Sequence, residues 1–173
     1  TQEEMRRKEK HLQNVLDEEK EKAQVAARNR EALMRLTKDE AVQSGNIKIA
    51  LETITSTITK TIGVSRCSIW TYHTSSHSIL NEKLHNTLTG EFEDGTTLYG
   101  KDFPGYFRAV LSEEIIVANN AHTHEATREF SEVYLRPLGI ESMLDVPFFE
   151  SGKIAGVICC EHQHEQKNWT EAD

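Results

Sequence analysis

Two sets of residues in this 173-residue chain have side chains suited to chemistry. His122-Thr123-His124 and His162-Gln163-His164 are His-x-His pairs, which on a strand point two imidazoles to one face and can begin a metal site. A metal centre needs third and fourth ligands nearby. Cys159 and Cys160 are close to the second pair, but alternation sends them to opposite faces, so only one could join without a bend. The simpler reading, solvated histidines at strand ends, is preferred, and no metal is assigned. The cysteines Cys67, Cys159 and Cys160 form neither a CxxC pair nor an even-numbered framework, which fits a reducing cytoplasm better than a secreted scaffold. Strand cysteines of this kind are usually inert small hydrophobes. No serine nucleophile elbow, phosphate-binding loop, glycine-rich dinucleotide turn or metalloprotease helix occurs, so the chain itself is read as non-catalytic.

The elements that must carry these residues divide into a helix and a domain. From Gln2 to about Val42 there is no Pro or Gly. Met5, Leu12, Ala26 and Leu33 recur at steps of seven, interrupted by Glu19, with Val15, Leu16, Ala23 and Leu36 in companion positions, giving a weak coiled-coil seam with charged flanks. A helix so polar needs a partner, most simply its own copy in a parallel dimer; the bland alternative is a solvated spacer. Ser44-Gly45-Asn46 predicts a restart. Ile47, Leu51, Ile54, Ile58 and Ile62 then share one face of a second helix, with Thr and Ser on the other and Gly63 as C-cap. A hairpin is predicted from Arg66–His73 and about Ser78–Leu84, then a loose stretch from Gly90 to Lys101. Asp102-Phe103-Pro104 reads as the capped start of a short helix running to Leu111. A short strand at Ile115–Ala118 and a short helix over Thr127–Leu135, ending before Pro137, come next. Ser142–Phe149 and Ile154–Cys160 form a last hairpin around Glu150–Lys153, and the doubly apolar second run belongs in a sheet covered on both faces. One cover is the helix of residues 47–62, the other the segments between about 90 and 140. Thr170-Glu171-Ala172-Asp173 has the form of a helix start, implying an exit helix continuing past Asp173 in a larger protein.

Charge narrows the partners. Thr1–Glu40 holds ten basic and ten acidic residues, so the net charge of -8 lies wholly on the remainder. An acidic domain argues against nucleic-acid binding, which needs clustered Lys and Arg. No apolar run approaches the roughly 18 residues of a membrane span, and no signal-peptide pattern is present, so no membrane contact is expected of this segment.

Several motifs stand out: Asp102-x-Pro104-x-Tyr106-Phe107, Val117-Ala118-Asn119-Asn120-Ala121, Thr127-Arg128-Glu129-Phe130, Tyr134-Leu135-x-Pro137-Leu138-Gly139-Ile140-x-Ser142-Met143-Leu144-Asp145-x-Pro147, and Gly156-Val157-x-Cys159-x-Glu161-His162 with Trp169-Thr170. These motifs and the element order resemble the GAF domain family of bacterial sensors. The resemblance covers about residues 37 to 173. It implies an α+β, PAS-like fold: an antiparallel sheet of about six strands with N- and C-terminal helices on one face and a loop-covered pocket on the other. The division expected is a coiled-coil signalling helix at 1–43 and a GAF domain at 44–173.

What the resemblance further implies is a regulatory sensor in a two-component phosphorelay protein. It would bind a small molecule and act through helices paired in a homodimer on a downstream effector, with about 1 to 3 kcal/mol of coupling. The alternatives are a ligand-free dimerisation module or a domain regulating a diguanylate cyclase. The residues expected to line the pocket are Trp70, Tyr72, Phe103, Tyr106, Phe107 and Met143, with Asn119, Asp145 and Glu161 as polar contacts; aromatics on strands are more often plain core. No cofactor is assigned. Residues 74–158 contain no cysteine, which disfavours a covalent bilin, while non-covalent haem through one of the eight histidines stays open. The cysteines fall in strands rather than the pocket loops used by methionine sulfoxide reductases of this family, and its cyclic-nucleotide signature is not visible.

Overall fold

Asp39 decides where the first helix ends. The computed structural model describes residues 1–173, and its first helix, α1 (Gln2–Lys38), stops where Asp39 turns extended at ψ 128°. The Asp39 carboxylate accepts from the Ala41 and Val42 N–H groups and so starts a separate turn, α2 (Glu40–Gln43). The unbroken helix expected to about Val42 is therefore interrupted, because a short acceptor satisfies the free N–H groups of a new helix better than it continues an old one. The restart expected at Ser44-Gly45-Asn46 is present: Asn46 caps α3 (Ile47–Ile62), which ends at Gly63 in the left-handed conformation, φ 74°.

Seven strands form one sheet: β1 (Arg66–His73), β2 (Ser78–Asn86), β3 (Phe92–Glu93), β4 (Thr97–Tyr99), β5 (Ile116–Ala118), β6 (Ile140–Glu150) and β7 (Lys153–Gln163). The order is β3-β2-β1-β7-β6-β5, with β4 also paired to β2, and every pair is antiparallel. β3 and β4 lie in the stretch read as loose; each is too short to show alternation and is held by its pairing with β2. At the β6–β7 turn Ser151 and Gly152 both have positive φ, 51° and 76°, the two-residue geometry whose twist matches the flanking strands.

Alternation along the strands separates two cores. Trp70, Ile79, Met143, Val157 and Cys159 meet Tyr106, Phe107 and Val110 of α4 (Pro104–Leu111), together with Phe103, Ala126, Phe130 and Leu135. On the opposite face Cys67, Leu144 and Cys160 pack with Val64, Ile58, Ile62 and Trp169. The last apolar strand is thus covered on both sides by the two segments expected.

The orientation of α3 differs from its pattern. Its most buried residues are Ala50, Thr55 and Thr59, whereas Ile47 is exposed. Threonine can face the sheet because its hydroxyl is satisfied locally: Thr55 donates to the Leu51 carbonyl, and Thr59 to that of Ser56 while also contacting His85 Nδ1 at 2.8 Å. The isoleucine stripe is thereby shared, with Ile58 and Ile62 reaching the sheet and Ile54, Ile58 and Ile62 facing α1. On α1 the residues turned inward are Val25, Asn29, Ala32 and Leu36, at helical spacing. Met5, Leu12, Leu16 and Leu33 of the seven-residue seam remain exposed, so α1 carries one stripe for its own domain and another that this chain leaves uncovered. No helix is long and apolar enough to cross a membrane.

Residues Thr170–Asp173 make a capped turn: the Asp173 carboxylate accepts from the Thr170 N–H at 2.8 Å, and Thr170 Oγ1 accepts from the Ala172 N–H. The turn lies against α1, where Asn29 Nδ2 donates to the Ala172 carbonyl. First helix and last residues therefore meet on one face of the sheet.

Candidate ligand site

The hairpin registers set carboxylates and their partners side by side. Arg66 pairs with Glu161 across β1 and β7, and Asp145 with Cys159 across β6 and β7, all four side chains facing the covering helices. Both members of the first pair are nearly inaccessible to solvent, and Arg66 Nε donates to Glu161 Oε1 at 3.0 Å. The Tyr134 hydroxyl donates to the same oxygen at 3.3 Å and accepts from Arg66 Nη2 at 3.3 Å. Burial pushes the Tyr134 phenol up, and Glu161 adds to the effect. Breaking such a buried pair from one side costs about 3–5 kcal/mol, because the surviving charge keeps its desolvation penalty.

The second centre is built on Asp145. The Tyr106 hydroxyl and the Cys159 thiol, the latter at 3.2 Å, both donate to Asp145 Oδ2. Asp145 Oδ1 is buried with no hydrogen-bond partner. Burial pushes the carboxyl up to about 7; the bonds from Tyr106 and Cys159 oppose the rise and the neighbouring Glu161 charge adds to it. Burial likewise raises Tyr106 and Cys159, with Asp145 adding to both, so phenol and thiol stay protonated donors near neutral pH. The site can therefore hold a shared proton and offer an unsatisfied acceptor, but it lacks a nucleophile in its reactive form.

The cover is positioned by local sequence. Pro104 occupies the first turn of α4, where its missing N–H is no loss. Phe103 is the N-cap and makes no side-chain cap bond; the role expected of Asp102 is taken by Glu129, whose Oε1 accepts from Gly105 N at 2.7 Å and Tyr106 N at 3.3 Å. Arg128–Leu138 is a composite of a 3-10 turn, a π turn over Ser131–Leu135 and a final α turn, ending at Gly139 with φ 66°. It runs through Pro137 rather than stopping before it, because that proline falls in the first turn of a new segment. Tyr134 comes from the wide π turn.

Between sheet and cover the remaining cavity measures about 10 Å³, lined by Trp70, Ile79, Leu98, Tyr106, Phe130, Tyr134, Met143, Cys159 and Glu161. That is close to the least space one water needs. A larger hollow of about 420 Å³ lies outside, between α1 and α3. Of the residues predicted for the pocket, Trp70, Tyr106, Met143 and Glu161 line the cavity, and Asp145 bonds to Tyr106 behind it. Phe103 stacks on Phe130 at 4.3 Å within the cover, Phe107 packs on His77, and Tyr72 stands half-buried with its hydroxyl on His77. Asn119 does not join them: its Oδ1 accepts from the Trp169 N–H and its carbonyl from Ser142 Oγ, tying the C-terminal segment to β5. Arg66, Tyr134 and Cys159 went unassigned. The two-residue step from Glu161 back to Cys159 and Val157 was a signal for the cysteine; Arg66 sits at the start of its strand, where a charge reads as solvated.

The histidine pairs are placed apart from this centre. His122-Thr123-His124 lies in turns rather than on a strand: His122 Nδ1 is 2.7 Å from Ser131 Oγ, and His124 Nδ1 accepts from Ala126 N. His162 contacts Ser65, whereas His164 has left the strand at φ 71° against Gly139.

The GAF domain family model matches residues 46–173. No curated protein is found to match. Among solved structures, the phycocyanobilin-bound GAF domain of a cyanobacterial phytochrome superposes with a TM-score of 0.67 at 16% identity, covering 82% of this chain and 83% of that one. The GAF domain of a phosphoenolpyruvate-protein phosphotransferase from Coxiella burnetii gives 0.64 at 18%, covering 85% and 84%. Free methionine-R-sulfoxide reductase from Neisseria meningitidis gives 0.61 at 17%, covering 86% and 80%. At such identities the structures share the fold alone, while the family model spans most of the sequence, and the chain belongs to the GAF domain family.

Proposed function

We propose that this chain is the regulatory sensor of a cytoplasmic bacterial signalling protein, of two-component type, that senses a small polar molecule and reports through paired helices. The observation that carries the reading is the unpartnered Asp145 Oδ1, buried beside the Arg66–Glu161–Tyr134 cluster under a cover made of separate short segments. An unsatisfied buried acceptor is destabilising by about 1–3 kcal/mol. A solute with a donor facing Asp145 would relieve it, entering as the cover lifts, and the pocket set of Trp70, Tyr106, Met143, Asp145 and Glu161 would hold it. Residues 1–43 act as the signalling helix and 44–173 as the sensor. The free stripe of α1 and the turn at Thr170–Asp173 form one dimer surface in this reading, which rests on Leu33 of the stripe and Asp173 of the turn both lining the apolar groove against α3.

Neither a bilin nor sulfoxide reduction suits these residues. A tetrapyrrole far exceeds the cavity, and the covering segments hold no cysteine. The Cys159 sulfur does reach the cavity wall, but burial and Asp145 hold it as a thiol. Native mass spectrometry followed by a metabolite thermal-shift screen tests the proposal: a stabiliser whose effect disappears in Asp145→Asn supports it. Failure of every metabolite moves the assignment to a second reading, a structural dimerisation module, which the small cavity on one side of the sheet and the large apolar groove on the other favour.

A further inference from the structure

The remaining cysteines face each other on the opposite side of the sheet. β1 and β7 are antiparallel neighbours, and Cys67 and Cys160 are direct register partners. The phase of the ladder follows from its lower end. The Thr87 N–H donates to the Ser65 carbonyl, so Ser65 and, two residues on, Cys67 direct their backbone groups toward β2. Relative to β7, Cys67 and Cys160 are therefore a non-hydrogen-bonded pair, in which Cα atoms approach to about 4.5 Å and side chains lie closest. That separation falls within the roughly 4.4–6.8 Å that a disulfide spans. Both side chains are buried in one apolar cluster and covered by Ile58 and Ile62 of α3 and by Trp169. Cys159, one residue away, faces the other side and is engaged with Asp145.

We propose that Cys67 and Cys160 are a modification site: a dithiol that a small peroxide converts reversibly to a cross-strand disulfide beneath α3. Once Trp169 lifts and admits water and peroxide, the Cys160 sulfur, the less enclosed of the two, attacks one peroxide oxygen; the O–O bond breaks and the departing hydroxide leaves as water with the thiol proton. The Cys67 sulfur then attacks the resulting sulfenic acid, forming S–S and breaking S–O. Its proton leaves with the hydroxyl as a second water, so two thiols are oxidised by two electrons and one peroxide is reduced to two waters. Access comes from lifting Trp169, whose segment has neither strand nor helix and is tied down by single bonds to Asn119, Ala118 and, through Lys167, Ser142. Sulfurs drawn to about 2.05 Å leave a different floor under Ile58 and Ile62, which links redox state to the helix pair without the small-molecule site.

The test treats the full chain with hydrogen peroxide, quenches with catalase, and alkylates under denaturing conditions. Two of the three cysteines are expected to become unreactive with loss of two hydrogen atoms in mass, and dithiothreitol should restore both. Fragmentation of the linked peptide should place the bond at Cys160, and Cys159→Ala should still form it while Cys160→Ala should not. Three reactive thiols after treatment, a link through Cys159, a covalent dimer, or a gain of oxygen in place of a bond would each overturn the proposal. The wild-type fragmentation decides the matter even if a variant fails to fold.

Discussion

Replacing Asp145 by Asn removes a charge that the fold holds at a disadvantage. The folded carboxyl titrates at about 7 because of its burial, against about 3.9 in an unfolded chain. A raised folded value means that the native state binds more protons across this window. The stability contributed by the group is complete below about pH 4 and is lost as pH rises to about 7. At about 1.36 kcal/mol per pH unit, three units amount to about 4 kcal/mol. The substituted amide cannot ionise, yet its oxygen still accepts from the Tyr106 hydroxyl. The stability of Asp145→Asn minus that of the wild type should therefore climb by about 4 kcal/mol between about pH 4 and pH 8. For a domain of this size that is roughly 10 °C in melting temperature. Urea unfolding at a series of pH values measures it, and taking the difference cancels every other titrating group common to both proteins. A difference curve flat within about 0.5 kcal/mol would show that Asp145 is solvated or otherwise compensated, and the argument for an unsatisfied acceptor would fall with it.

Four further outcomes follow from the same geometry. Glu161→Ala, which strands Arg66, should lose about 3–5 kcal/mol in chemical denaturation, while the double variant Arg66→Met, Glu161→Leu should recover most of it; equal losses in the two would refute the pairing. Gly156→Ala should lose at least about 1–3 kcal/mol of stability, since its Cβ would meet the Trp70 carbonyl and lie 2.5 Å from Phe148 Cζ; a neutral result in a thermal melt contradicts the close approach of β1 to β7. Deleting residues 1–40, or introducing Leu12→Lys with Leu33→Lys, should shift the sedimentation coefficient from dimer to monomer, and a dimer that survives both owes nothing to α1. Glu129→Ala should loosen the start of α4 by about 0.5–2 kcal/mol, read as faster amide exchange at Gly105 and Tyr106, and unchanged exchange there would remove the capping role.

The parts legible in the sequence were those whose causes are local. Asn46 and Gly63 bracket α3 with a side-chain acceptor and a left-handed residue, each readable at its own position. The final hairpin announced itself by Ser151-Gly152 between two strand-forming runs. What escaped depended on residues far away in the chain. β3 and β4 exist because β2 offers them an edge. Thr55 and Thr59 face inward because helix carbonyls and His85 satisfy them. Asp102 looked like a cap, and Glu129 supplies the cap instead. The site divided in the same way. Alternation along β1, β6 and β7 brought Trp70, Met143, Asp145 and Glu161 to one face, whereas the buried ion pair needed the β1–β7 register, and Asn119 was drawn away by Trp169.

The carboxylate of Glu129 has a mechanical consequence. It rivets the run Arg128–Leu138 to the first turn of α4, two stretches of chain that would otherwise swing as independent flaps. Under the proposed sensor role they would rise together as a single hinged plate, and an entering solute would wait for the plate rather than push it. The rate of uptake should then level off as solute concentration increases, at a ceiling set by the hinge and common to every solute that enters.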